Sequence, residues 1–282
     1  MPMTKYPIAV IVFMLACGGS LSQAEQGVAS CDPVWQDDFQ GALNTSTWNV
    51  VEGDGCSIGL CGWGNNEQQA YDADAVKLAG GLLSLTAYVD DSGTIRSGKL
   101  TTQGKYGVQY GLIEARMRLS AGRGLWPAFW MMPEDKQSPW PLEGEIDILE
   151  WTGNEPHRII GAAHFGDLPP ANVHYSETLR APDVWNDEFH IFGVEWLPQR
   201  ITWYVDGRSH GVMTSDDTAP WPWVFDSKPF HLILNVAVGG TLGGEVVESD
   251  LPAKVDIDWV RVYPEHCAPE RFTHPHLKPH AD

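Results

Sequence analysis

Basic residues are scarce in this 282-residue chain: 18 Lys and Arg stand against 37 Asp and Glu, a formal net charge of -19. That deficit disfavours nucleic acids and anionic membranes as partners, because both would repel the chain. A neutral or cationic ligand suits it better. Sustained helical periodicity is missing, as are internal repeats and linker-like stretches, so a single domain from about residue 30 to residue 267 is expected. The apolar run near the start, Pro7–Ala16 (PIAVIVFMLA), is too short to span a bilayer.

That run reads instead as the core of an export signal, with Lys5 as its positive start. Two processing outcomes fit. Cleavage after Ala24 makes residues 1–24 a signal peptide and the protein secreted or periplasmic. Alternatively Cys17, directly after Ala16, is lipidated as in a lipoprotein and anchors the chain to the cell envelope. Four cysteines remain in the exported chain, Cys31, Cys56, Cys61 and Cys267, and they allow three pairings. Cys56 and Cys61 lie close in CSIGLC, which favours a small-loop bridge and leaves Cys31 and Cys267 to tie the ends together. Zinc is the weaker reading, because no His sits beside the close pair. The end of the chain, residues 268–282, reads as a flexible tail whose His274, His276 and His280 could bind metal adventitiously.

What the sequence has in quantity is tryptophan (13), glycine (29) and short alternating segments. Trp is a common platform for sugar rings, although about half are expected in the core. EARMRL places Glu114, Arg116 and Arg118 on one face and Ala115, Met117 and Leu119 on the other, as a half-buried strand does. ITWYVDGRSHGVM is two such runs joined by Asp206-Gly207, a two-residue hairpin signal. Many short strands with Gly- and Pro-rich turns predict an all-β sandwich of two antiparallel sheets.

One strand breaks the pattern. In EGEIDILEW, Glu145 and Asp147 are two residues apart and share a face, but Glu150 falls on the opposite one. A β-bulge at Ile148-Leu149 would turn the alternation by one step and return Glu150 to its fellows. Leaning inward, the Glu145 and Glu150 carboxyl groups would then stand ~5 Å apart, the separation of retaining rather than inverting glycosidases. Asp147 between them is placed to hydrogen-bond one glutamate and tune its protonation. A solvated acidic face and a cation site are the competing readings. Just upstream, GLWPAFWMMP puts Trp126 and Trp130 an even step apart, a stacking surface beside the acids.

GEIDILEW, preceded by GLWPAFWMMP and followed by FHIFGVEWLPQRITWYVDG, resembles glycoside hydrolase family 16. More narrowly, it looks like the bacterial laminarinase-like endo-β-1,3-glucanases, which carry the bulged E-x-D-x-x-E form; the lichenase branch lacks the extra residue. The resemblance runs from about Cys31 to Tyr263. It implies a jelly-roll sandwich with a concave substrate cleft and a polysaccharide substrate; no cofactor for catalysis and a monomer are expected. By matching positions it implies Glu145 as nucleophile, Glu150 as acid/base and Asp147 assisting, in a retaining double displacement. Asn65 and Asn66 in WGNNEQQAY match sugar-binding positions, Trp126 and Trp130 match cleft tryptophans, and His164 in AAHFG matches a position beside the acid/base. A structural calcium is implied at Asp38, Asp258 and the carbonyl of Gly81. The same match supports the Cys31–Cys267 pairing. One departure is GGTLGG (Gly239–Gly244), where laminarinases often carry a Trp-Pro pair, so mixed-linkage β-1,3-1,4-glucan or another polysaccharide stands as the alternative substrate. A non-catalytic glucan-binding sandwich is the alternative from a different class. The glycine stretch is no phosphate loop, because no helix pattern follows it.

Overall fold

The computed structural model describes residues 31–186 and 188–267; the export signal, Cys17 and the histidines of the tail lie outside them. The described residues form two sheets. The first runs in the order Asn172–Arg180, Arg158–Gly166, Glu145–Trp151, Leu125–Pro133, Phe230–Val238, Lys99–Thr101 and Asn49–Val50, with Gly107–Val108 also paired to Phe230–Val238. The second is built around Arg208–Thr214, Arg200–Val205, Phe189–Leu197, Gly111–Arg118, Ala253–Tyr263 and Leu82–Val89. Every pairing among these strands is antiparallel; the short Ala70–Tyr71 segment pairs with Ile95–Ser97 in parallel. This is the expected sandwich.

Alternation explains why the sheets stack. Ala115, Met117 and Leu119 are buried, as are Phe129 and Met131, Ile146 and Ile148, and Leu232 and Leu234. Each set leaves one face of its strand, so the inner faces close on a shared core that also takes Trp151, Trp196 and Trp203. Transfer of such apolar surface from water is the main stabilising term. The hairpin falls where expected: Arg200–Val205 and Arg208–Thr214 flank Asp206 and Gly207, whose φ values of 52° and 76° are those of a type I′ turn. Glu114 departs from the simple reading. It shares a face with Arg116 and Arg118, yet it is buried, and burial pushes its carboxyl up to about 7.

Two disulfides are present, Cys31–Cys267 and Cys56–Cys61. The first joins the chain just before Trp35–Asp37 to the chain just after Ala253–Tyr263, two strands that pair antiparallel. Helices are short. The glycine stretch does contain one helical turn, Gly240–Gly243, which sequence periodicity is too short to reveal. Among the described residues no helix is long and apolar enough to cross a membrane.

Candidate active site

The strand Glu145–Trp151 carries the bulge. On one side Trp130 faces Asp147 and Phe129 faces Leu149, so Ile148 is the extra residue. On the other, Asp147 pairs with Ala162 and Glu150 with Ile160, leaving Ile148 and Leu149 opposite Gly161. Both bulge residues are buried in the core. Glu145, Asp147 and Glu150 therefore share the outward face of this sheet. The bulge is anchored from across the core: the Trp203 indole N–H, from the other sheet, donates to the Asp147 carbonyl at 2.8 Å. That bond satisfies a backbone acceptor at the bulge.

Each outer carboxylate has its own indole. Trp126 donates to Glu150 Oε1 at 3.1 Å, and Trp140 donates to Glu145 Oε2 at 3.0 Å. Asp147 is only 4% exposed, and its Oδ2 has no hydrogen-bond donor. Its near neighbour is His164, whose Nε2 lies 3.3 Å from Asp147 Oδ2 and 3.8 Å from Glu145 Oε1. The expected hydrogen bond from Asp147 to a glutamate is thus replaced by an imidazole contact, because His164 is the cross-strand partner of Glu145 and leans over both acids. Burial is the first cause that raises all three carboxyls to about 8; for the glutamates, repulsion from Asp147 adds to it. The three titrate as one set, and at neutral pH the cluster retains protons.

Trp130 is held by a polar chain. Its indole donates to Asn235 Oδ1 at 2.7 Å, Asn235 donates to the Tyr71 hydroxyl at 3.0 Å, and Tyr71 reaches Glu67 at 3.4 Å. Asn65 donates to the same glutamate at 3.1 Å, so its amide is engaged within the loop. Asn66 is exposed with φ 60°. A Cβ on Gly240 would lie 3.0 Å from the Asn65 carbonyl and 3.4 Å from the Trp126 ring. The asparagine loop, the glycine turn and Trp126 therefore meet at one place.

Several residues of this surface escaped sequence reasoning. Trp140 sits in a proline-flanked turn five residues before Glu145, and only the folding of that turn brings its N–H to the acid. Lys99 is buried with its ammonium 4.2 Å from the Trp63 ring and 5.2 Å from the Trp130 ring. Burial lowers it to about 8 against the pull of Glu67 and Glu145. A lysine opening the short strand Lys99–Thr101 was the one available signal.

A model of the glycosyl hydrolases family 16 matches residues 63–261. The chain belongs to glycoside hydrolase family 16. It is 36% identical over 250 residues to a β-glucanase of Rhodothermus marinus, covering 82% of this chain and 84% of that one. It is 34% identical over 265 residues to glucan endo-1,3-β-glucosidase A1 of Niallia circulans; that match takes 86% of this chain but spans only 39% of the longer relative. The laminarinase catalytic domain of Thermotoga maritima superposes with a TM-score of 0.77 at 36% identity, covering 84% of this chain and 99% of that one.

The calcium donors implied by this family 16 resemblance lie away from the acids, on the second sheet. Asp38 follows the strand Trp35–Asp37 and Asp258 lies in Ala253–Tyr263. Arg261 donates to Asp38 at 3.0 Å and Arg116 donates to Asp258 at 2.6 Å. Gly81 abuts the Gln40 side chain. As placed, these residues do not fit a calcium ion, because guanidinium groups already supply the charge the ion would bring.

Proposed function

We propose that this family 16 chain is an endo-acting glycoside hydrolase that cleaves β-1,3-glucan of the laminarin type with retention of configuration. The observation that carries the reading is the bulged row of three carboxylates, Asp147 buried and Glu145 and Glu150 half-buried, whose outer two members each accept an indole N–H. The named relatives act on β-glucans, and their likeness extends over most of the chain.

Glu145 serves as the nucleophile. Its Oε2 is engaged by Trp140, which leaves Oε1 to attack the anomeric carbon. Glu150, raised by burial, holds the proton that passes to the glycosidic oxygen as the bond to carbon breaks. The leaving chain departs as an alcohol and the glycosyl group is esterified to Glu145. Glu150, now a carboxylate, takes a proton from water while the water oxygen attacks the same carbon and Glu145 leaves. Both carboxyl groups end in their starting protonation states. Asp147, fully buried and without a donor, is the site where a retained proton costs least. A neutral Asp147 limits the repulsion that Glu145 meets when it ionises to attack. Trp126 and Trp130 supply stacking surfaces for sugar rings, with Asn65, Asn66 and His164 at the rim and floor.

A mixed-linkage β-1,3-1,4-glucan is the second reading, favoured by the small Gly240–Gly243 turn beside Trp126, which offers no aromatic ring to a sugar. Export is inferred from the two disulfides, which persist in oxidising compartments. The chain would act there as a monomer, either free or lipid-anchored.

Reducing-sugar release from laminarin, mixed-linkage glucan and agarose tests the proposal, with Glu145→Gln as control. Early oligosaccharides from laminarin, β-configured when first formed and absent with the variant, are expected. An α-configured first product, or undiminished hydrolysis by the variant, would overturn the mechanism. Activity confined to another polymer would overturn the substrate.

A further inference from the structure

We propose that Glu145, Asp147 and His164 also form a reversible site for a borderline divalent cation such as Zn2+ or Cu2+, whose binding switches hydrolysis off. The ligand atoms of these three side chains all lie within 4.8 Å of one another. His164 Nε2 stands 3.3 Å from Asp147 Oδ2 and 3.8 Å from Glu145 Oε1. Ligands held at about 2.0–2.1 Å in a tetrahedron around zinc stand about 3.3–3.4 Å apart, so the His164–Asp147 pair already has that spacing and Glu145 must close towards the other two.

An independent feature points to a ligand at this spot. Asp147 Oδ2 is buried with no hydrogen-bond donor, on a residue only 4% exposed. Such an oxygen is costly to leave unpaired, and a cation among the three ligands would satisfy it. Glu145 contributes Oε1, since Trp140 already occupies Oε2. The strands are hydrogen-bonded neighbours with Glu145 opposite His164, so the ligands are held by the sheet rather than by a loop. One imidazole with two carboxylates selects zinc, copper or nickel over calcium and magnesium, which take six or more oxygens.

The site lacks one feature of a resident metal centre. His164 Nδ1 is buried with no acceptor. Outer partners of this kind are worth about 10–100-fold in affinity, so the ion binds and leaves. While bound, it ties up the lone pair of Glu145 Oε1. The inhibition therefore rests on Glu145 being the nucleophile; the binding does not.

Calorimetric titration of the full chain with ZnCl2, and separately with CaCl2, tests this, beside zinc inhibition of polysaccharide hydrolysis. Two variants accompany the wild type: His164→Gln, and a triple His→Gln change at positions 274, 276 and 280 of the tail. Expected is one zinc per chain, unmatched by calcium, weakened at least tenfold by His164→Gln, and retained by the tail variant. Zinc heat unchanged in His164→Gln, or lost with the tail histidines, would overturn the site. If His164→Gln does not fold, Asp147→Asn takes its place with the same expectation. Zinc bound through His164 without loss of hydrolysis would keep the site and overturn the role given to Glu145.

Discussion

Gly161 is the residue on which the geometry of the acids turns. It lies opposite Ile148 and Leu149, and its inward side is filled by Trp203. A Cβ there would stand 2.3 Å from Trp203 Cδ1 and 2.7 Å from its Nε1, far inside contact distance. In Gly161→Ala the indole must therefore move, and its hydrogen bond to the Asp147 carbonyl breaks. Overpacking of a core costs about 1–3 kcal/mol. Leaving the carbonyl and indole N–H unpaired adds about 1–3 kcal/mol. The sum, about 2–6 kcal/mol, corresponds to a melting temperature lower by roughly 5–20 °C for a domain of this size. Loss of the anchor also frees the bulge. A displacement of about 1 Å at the carboxylates is enough for about a 100-fold loss of rate. Differential scanning calorimetry and steady-state kinetics on laminarin measure both. A variant that melts within about 2 °C of the wild type and retains its kcat would refute the claim that the Trp203 contact fixes the site.

Two further outcomes follow from the charges. The carboxyls at Glu145, Asp147 and Glu150 are raised above their unfolded values near 4, so the folded state binds extra protons and its stability falls as pH rises from about 4 towards 8. His210 and His231, lowered to about 4 by burial, act oppositely but only below about pH 6.5. Between pH 6.5 and 8 the melting temperature should therefore decline; Glu145→Gln and Glu150→Gln should each flatten that decline while abolishing most hydrolysis. Glu114 leaves a residual slope in both variants, and a slope identical to wild type would refute the shared burial of the acids. For calcium, occupation of Asp38 and Asp258 would require Arg261 and Arg116 to release them, so a chelator is expected to leave the melting temperature unchanged. A fall that added calcium reverses would show an ion displacing the arginines.

The strands, the hairpin and the bulge were legible in the order of residues. These are consequences of local backbone geometry: side chains alternate with period two, so an acid at an odd offset from its fellows demands an inserted residue, and Asp206-Gly207 readily takes the positive φ values of a tight hairpin turn. The resemblance of the surrounding motifs then placed the family. The environment of the acids arises only on folding. Trp140 comes from a turn, Trp203 from the opposite sheet, and Lys99 from the third strand along the sheet from the acids, and no spacing in the sequence announces those meetings. The rise of the three carboxyls is likewise a tertiary effect, because desolvation depends on what packs around a charge rather than on its neighbours in the chain. The same holds for Asp38 and Asp258: their positions match a calcium pattern, but the arginines that reach them across the sheet determine what those carboxylates hold.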